Sequence, residues 1–213
     1  MSSLKQHIGY LIDLFYPRIC LICGRALQSH EKHLCMYCIQ NIPRTQFHSH
    51  SEDNIMEHLF RGKVQIEKAV AFFYFTHHGD YRHLIHQIKY RGEKECARYL
   101  GEIYARELGA EFFTDIDLLV PVPLHPKRLR KRGYNQSEWI AMGISDFTGK
   151  DIDRYLIHRC GTSETQTNKG IYKRWENTQN IFTLGNTSEP EGKHLLLIDD
   201  VVTTRATLLS CPN

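Results

Sequence analysis

Residues 194–207, His-Leu-Leu-Leu-Ile-Asp-Asp-Val-Val-Thr-Thr-Arg-Ala-Thr, constrain the fold of this chain more than any other stretch. The aliphatic run Leu195–Ile198 reads as a buried strand. Two ionised carboxylates, Asp199 and Asp200, cannot follow it into an apolar interior, so they belong to the loop beyond its carboxyl end. The hydroxyls of Thr203, Thr204 and Thr207 come next. In open α/β sheets that edge is where small ligands bind. The acid pair can accept hydrogen bonds from vicinal ribose hydroxyls or hold Mg²⁺ through water. Amides around 204–207 can meet a phosphate at the start of a following helix. The plainer alternative is a core strand ending in two solvated acids and a threonine-capped helix.

The rest of the chain alternates strand and helix signals, which predicts an α/β fold with a mostly parallel sheet. Leu4, Ile8, Leu11, Ile12 and Phe15 predict a short amphipathic helix that Pro17 ends. Residues 68–75 predict a strand, 81–90 and 93–108 two helices, and 117–122 an apolar strand. A helix over 135–147, a weaker strand over 152–157, a long polar loop over 160–180 and the strand at 194–198 complete the pattern. The organisation predicted is a helix and four-cysteine module over 1–43, a linker over 44–63, and the α/β domain over 64–213.

The 213 residues suffice for one sizeable core and a small accessory module. A net charge of +3 excludes bulk polyelectrolyte behaviour, though not a local basic patch. No apolar run approaches the ~20 residues of a membrane span, and residues 1–16 lack the pattern of a signal peptide. The expected location is the cytoplasm.

Four of the seven cysteines form two Cys-x₂-Cys pairs, Cys20/Cys23 and Cys35/Cys38, with eleven residues between them. In a reducing compartment this spacing reads as a metal site rather than as disulfides. Four thiolates around Zn²⁺ leave no open position, so the expected role is a structural staple. An iron–sulfur cluster or a redox pair is the alternative, and zinc knuckles also occur in nucleic-acid binders. Cys96, Cys160 and Cys211 read as small buried apolar residues.

After the strand at 117–122, Lys127, Arg128, Arg130, Lys131 and Arg132 place five cations in six residues, in a segment expected to be a loop. Such a segment suits pyrophosphate or a nucleic-acid backbone; the alternative is a solvated basic loop.

Pro-Val-Pro-Leu-His-Pro-Lys-Arg-Leu-Arg-Lys-Arg-Gly-Tyr-Asn-Gln at 121–136 resembles the signature of the ComF family, bacterial proteins tied to DNA uptake and competence. Leu-Ile-His-Gln-Ile-Lys-Tyr-Arg-Gly at 84–92, Lys-Arg-Trp-Glu-Asn-Thr-Gln-Asn-Ile-Phe at 173–182, Thr165-Gln166-Thr167 and the four-cysteine module are similar to that family too. The resemblance implies an amino-terminal zinc finger joined to a type I phosphoribosyltransferase-like domain. It implies phosphoribosyl pyrophosphate or a similar phosphosugar as ligand, with Mg²⁺ if the site is active, and single-stranded DNA and the DNA-uptake machinery as partners. By it, Asp199 and Asp200 meet the ribose hydroxyls, and Thr203, Thr204 and Thr207 meet the 5-phosphate. The segment carrying Lys127, Arg128, Arg130 and Arg132 meets pyrophosphate or nucleic acid, and Arg174 and Asn177 belong to a mobile loop. An active phosphoribosyltransferase acting on a nucleobase or amine is the other function it leaves open.

Two features depart from the family pattern. Arg205 stands where the family has Gly, whose positive φ lets the backbone approach the phosphate. The family continues through a further helix and strand, whereas only eight residues, Ala206–Asn213, remain here. The expectation is a carboxyl-terminally truncated copy with impaired stability and phosphate binding.

Overall fold

A computed structural model of the chain describes residues 17–49, 54–62, 65–75, 81–159, 182–185 and 191–202. The helix expected over 4–15 and the loop expected over 160–180 lie outside the described residues. The chain divides into two compact units, Met1–Gln87 and Ile88–Asn213, and mixes helices with a small parallel sheet.

The first unit is organised around the cysteines. Residues Ile19 and Ala26 form an antiparallel bridge that closes the first Cys-x₂-Cys turn, where Gly24 takes φ +70°. Helix α1 (Met36–Gln40) begins at Cys35 and carries Cys38 inward. Glu31 ties the module together: its carboxylate accepts from the amides of Gln28 and Met36, both at 2.7 Å. Those two amides hold the Glu31 carboxyl below its usual range. Within 44–63 the chain forms helix α2 (Ile55–Phe60), capped by Asn54, whose side chain accepts from Glu57 N at 3.1 Å. The aromatic run at 68–75 differs from its expected strand, since among the described residues its ladder pairing is one bridge, Phe73 to Arg44. Aromatic content favours a pleated surface, but a strand forms only where a partner backbone runs alongside. Helix α3 (Tyr81–Tyr90) follows, and the division between units falls within it.

In the second unit, helix α4 (Lys94–Leu108) packs on helix α6 (Gln136–Thr148) at backbone contact distance. Two glycines permit this. A Cβ on Gly101 would overlap the Ile140 carbonyl, and one on Gly143 would overlap the Arg98 carbonyl and lie 2.8 Å from Glu102 N. A short 3-10 turn (Ala110–Phe113) then leads into strand β1 (Leu118–Pro121). Strand β1 pairs in parallel with β4 (Leu195–Ile198), Leu118 opposite Leu195 and Pro121 opposite Ile198. On its other side Leu119 makes a parallel bridge to Ile152. The core gathers Ala105, Phe113, Leu119, Ala141, Ile144 and Ile198, so both helices and the sheet share one apolar interior. Strands β2 (Ile157–Arg159) and β3 (Phe182–Leu184) form a separate antiparallel pair.

The basic segment expected as a loop is helical: α5 spans Pro126–Arg132. His125 caps it, accepting from Lys127 N at 3.2 Å, and Pro126 occupies the first turn, where its missing N–H costs nothing. Gly133 ends it at φ 80°, and Arg130, Lys131 and Arg132 fill the last turn, complementing the helix dipole.

Candidate functional site

The parallel pairing of β1 and β4 brings their carboxyl ends to the same edge. Val122 N donates to Ile198 O at 2.9 Å, closing the ladder just before the chains diverge. From β4 emerge Asp199 and Asp200; from β1 emerges the connection to the basic helix α5. Asn135, the cap of α6, fastens that connection by donating from Nδ2 to Val122 O at 3.0 Å while accepting from Ser137 N at 3.2 Å.

The acids are held by their surroundings. Ser137 Oγ, on buried Ser137 in the first turn of α6, donates to Asp199 Oδ1 at 3.3 Å. Asp200 N donates to the same oxygen at 2.8 Å. Lys89 Nζ, near the end of α3, lies 2.9 Å from Asp200 Oδ2. The Asp199 carboxyl is pushed above its ordinary value, first by desolvation and next by the Asp200 charge, with Ser137 and Lys89 pulling the other way. Among the described residues Asp199 is nonetheless exposed. Arg159, at the end of β2, lies within electrostatic reach of Arg128 and Asp199. Desolvation, then the Arg128 charge, lowers its guanidinium, and its buried Nε has no hydrogen-bond partner among the described residues.

Of the residues expected at the site, Asp199, Asp200 and Arg128 are thus found within one electrostatic neighbourhood. Arg132 turns to the Tyr90 ring, with its guanidinium carbon 5.3 Å from the ring centroid, and donates to Gln136 Oε1 at 2.7 Å. Lys127 and Arg130 are exposed on α5. Thr203, Thr204, Thr207, Arg174, Asn177 and Arg205 lie outside the described residues. Lys89, Ser137 and Arg159 were missed by sequence reasoning. Lys89 had a faint signal, standing in the Ile-Lys-Tyr-Arg-Gly segment, but a lysine near a helix carboxyl end is already accounted for by the dipole.

The four cysteines form a second candidate site. Their Sγ atoms all lie within 4.8 Å of one another, and Cys20, Cys35 and Cys38 are buried while Cys23 is exposed. The Cys23 and Cys35 sulfurs are 3.7 Å apart. Thiolates at the zinc–sulfur bond length would stand about 3.8 Å apart at the corners of a tetrahedron, so the group is close to metal-binding geometry before any ion is added. Electrostatics agree. Desolvation raises the Cys20 thiol, but amides of Cys23, Cys35 and Ile22 outweigh it and bring it down to about 7. Cys38 is pushed well up by burial and by its neighbouring thiols, and Cys35 is raised by burial. Four thiolates this close need a cation between them, and the donor set fits a metal ion such as zinc, which the group could bind.

Among the described residues no helix is long and apolar enough to cross a membrane. No protein-family model matches the sequence, and no solved structure matches it. Curated relatives do. The DNA utilization protein YhgH of Escherichia coli K12 is 31% identical over 198 residues, covering 89% of this chain and 80% of that protein. Competence protein ComFC of Bacillus subtilis is 25% identical over 207 residues, 97% of this chain and 72% of that protein. Competence protein F of Haemophilus influenzae is 30% identical over 93 residues, 43% of this chain and 41% of that protein.

Proposed function

The chain belongs to the ComF family of competence and DNA utilization proteins, and on that premise we propose that it is a cytoplasmic DNA-handling protein whose second unit binds a phosphoribosyl pyrophosphate-type ligand. In this reading the second unit has the type I phosphoribosyltransferase-like fold. The observation that carries it is the shared edge: an acid pair leaves one parallel strand where a basic helix follows its neighbour. Asp199 and Asp200 accept from the ribose diol or hold Mg²⁺ through water, while Arg128 and the other cations of α5 offset the pyrophosphate charge. Arg159, whose buried Nε has no partner among the described residues, supports an anionic occupant, and Asp199, held through Oδ1 by Ser137 and Asp200 N, has carboxylate oxygen left to accept from its hydroxyls. Thr203, Thr204 and Thr207 take the 5-phosphate, and Arg174 and Asn177 close over the site.

The chemistry such a site permits is pentosyl transfer, in which pyrophosphate leaves the anomeric carbon and the protein positions and stabilises charge without a nucleophile of its own. A nucleobase or amine acceptor would make the chain an active phosphoribosyltransferase. Zinc on the four cysteines serves as a structural staple of the first unit, and single-stranded DNA and the DNA-uptake machinery are the partners.

A ligand panel tests the site. Phosphoribosyl pyrophosphate with Mg²⁺ is expected to raise the melting temperature of the second unit more than ribose 5-phosphate or pyrophosphate does. The Asp199→Asn/Asp200→Asn variant should lose that difference. Equal shifts for all three ligands, or shifts the double variant retains, would reject the ribose assignment.

A further inference from the structure

Lys89 faces the acid pair from the side on which a divalent cation would bind Asp200. Its ammonium lies 2.9 Å from Asp200 Oδ2, and that oxygen is sealed from solvent. The turn that carries Lys89 is fixed, because Ile88 beside it is buried and the Tyr134 hydroxyl donates to the Ile88 carbonyl. Asp199 Oδ1 is likewise occupied, by Ser137 Oγ at 3.3 Å and Asp200 N at 2.8 Å. Among the described residues, one oxygen on each acid is left to accept, Asp199 Oδ2 and Asp200 Oδ1. Charge points the same way. Lys89 and Asp200 weigh on Asp199, and Arg128 and Asp199 on Arg159, so three cations stand with two acids at this edge. Glu138, the next acid along α6, is taken up by Arg154 at 2.9 Å. Mg²⁺ is drawn by carboxylates free to face it together with substrate phosphates. Here the carboxylates already have their counter-charge.

We propose that Lys89 stands in for Mg²⁺ at this edge, giving one N–H to Asp200 and another to an anionic ligand oxygen, so that the acid pair takes its ligand without a metal ion. The proposal rests on the reading of the second unit as a site for a phosphoribosyl pyrophosphate-type ligand, and adds how the charge of that ligand is met. Mg²⁺ approaches a carboxylate oxygen at about 2.1 Å, and on Asp200 Oδ2 it would have to displace the ammonium. An ammonium is a compact charge with three donors and no acceptor. It can therefore bridge a carboxylate and a phosphate oxygen, which is the part a metal ion would play between them.

The test is equilibrium binding of phosphoribosyl pyrophosphate to the full chain, in buffer freed of divalent ions by a chelating resin and in the same buffer with Mg²⁺ added. No soluble chelator is used, so the four-cysteine site is left undisturbed. The affinity of the unaltered chain should differ by less than about twofold between the two buffers. Lys89→Met should bind about tenfold or more weakly without Mg²⁺ and recover most of that loss with it, since a metal ion can then reach Asp200. Lys89→Arg, which keeps the cation, should stay indifferent to Mg²⁺. Each comparison is made within one protein, so a lower melting temperature of Lys89→Met does not enter it. Should that variant fail to fold, the unaltered chain decides alone. If the unaltered chain binds about tenfold or more tightly with Mg²⁺ than without, or a folded Lys89→Met gains nothing from Mg²⁺, Lys89 is no substitute for the metal, while the ligand reading stands. If no protein binds phosphoribosyl pyrophosphate in either buffer, both fall.

Discussion

Replacing Lys89 with Met removes the ammonium that faces Asp200 and leaves two neighbouring carboxylates at the end of β4. The pair is mostly shielded, with side chains 19% and 16% exposed. Exposed ion pairs contribute under ~1 kcal/mol, and breaking a fully buried one costs ~3–5 kcal/mol. A pair between those limits predicts a loss of about 2 kcal/mol, or roughly 8 °C in melting temperature for a unit of this size. The pH dependence carries more information than the loss itself. Desolvation and then the Asp200 charge raise the Asp199 carboxyl, and Lys89 counters them. A carboxyl whose folded pKa lies above its unfolded value contributes fully below the unfolded pKa and loses that contribution as pH rises through the folded one. Without Lys89 the Asp199 carboxyl rises further, so the penalty of Lys89→Met should be larger at about pH 8 than at about pH 5. Adding Asp199→Asn should recover part of it by removing one of the two charges. Tryptophan emission is the suitable assay, since Trp139 and Trp175 both belong to the second unit. An equal penalty at both pH values, or no recovery with Asp199→Asn, would refute the electrostatic account of the acid pair.

Gly143→Ala forces a methyl into the Arg98 carbonyl and should cost about 1–3 kcal/mol in urea unfolding, even though alanine is the better helix former. Asn135→Ala removes both the cap of α6 and the bond to Val122 O, so a loss of about 1–2 kcal/mol is expected in the same assay. Stripping metal with a strong chelator should release one zinc per chain and expose four thiols to a thiol reagent. Proteolysis should then cut within Met1–Gln87 before it cuts the second unit.

Much of the second unit was legible from periodicity alone. Helices α4 and α6 and strands β1 and β4 fall where the apolar spacing puts them, because each buries one face or the whole strand in a shared core. The four-cysteine group was equally plain, since its spacing encodes its geometry. The helical form of α5 was harder to see: five cations obscured it, although His125, Pro126 and Gly133 are its cap, start and stop. The run at 68–75 misled because a strand depends on a partner elsewhere in the chain. Lys89 and Ser137 were beyond sequence reasoning for a related reason. Ser137 reads as an ordinary first-turn residue of a helix, and only the folded sheet edge brings its hydroxyl to Asp199, 62 positions away.

The proposed role of Asp199 and Asp200 is to hold the ribose of a phosphoribosyl pyrophosphate-type ligand. Titration calorimetry with phosphoribosyl pyrophosphate and Mg²⁺ tests it most directly, run on the chain as it stands and on Arg205→Gly. Saturable heat at one ligand per chain is expected, tighter by about fivefold or more in Arg205→Gly, since glycine is free to adopt a positive φ for a close phosphate approach, and abolished in either protein by Asp200→Asn. No heat from either protein, or heat that survives Asp200→Asn, would contradict it.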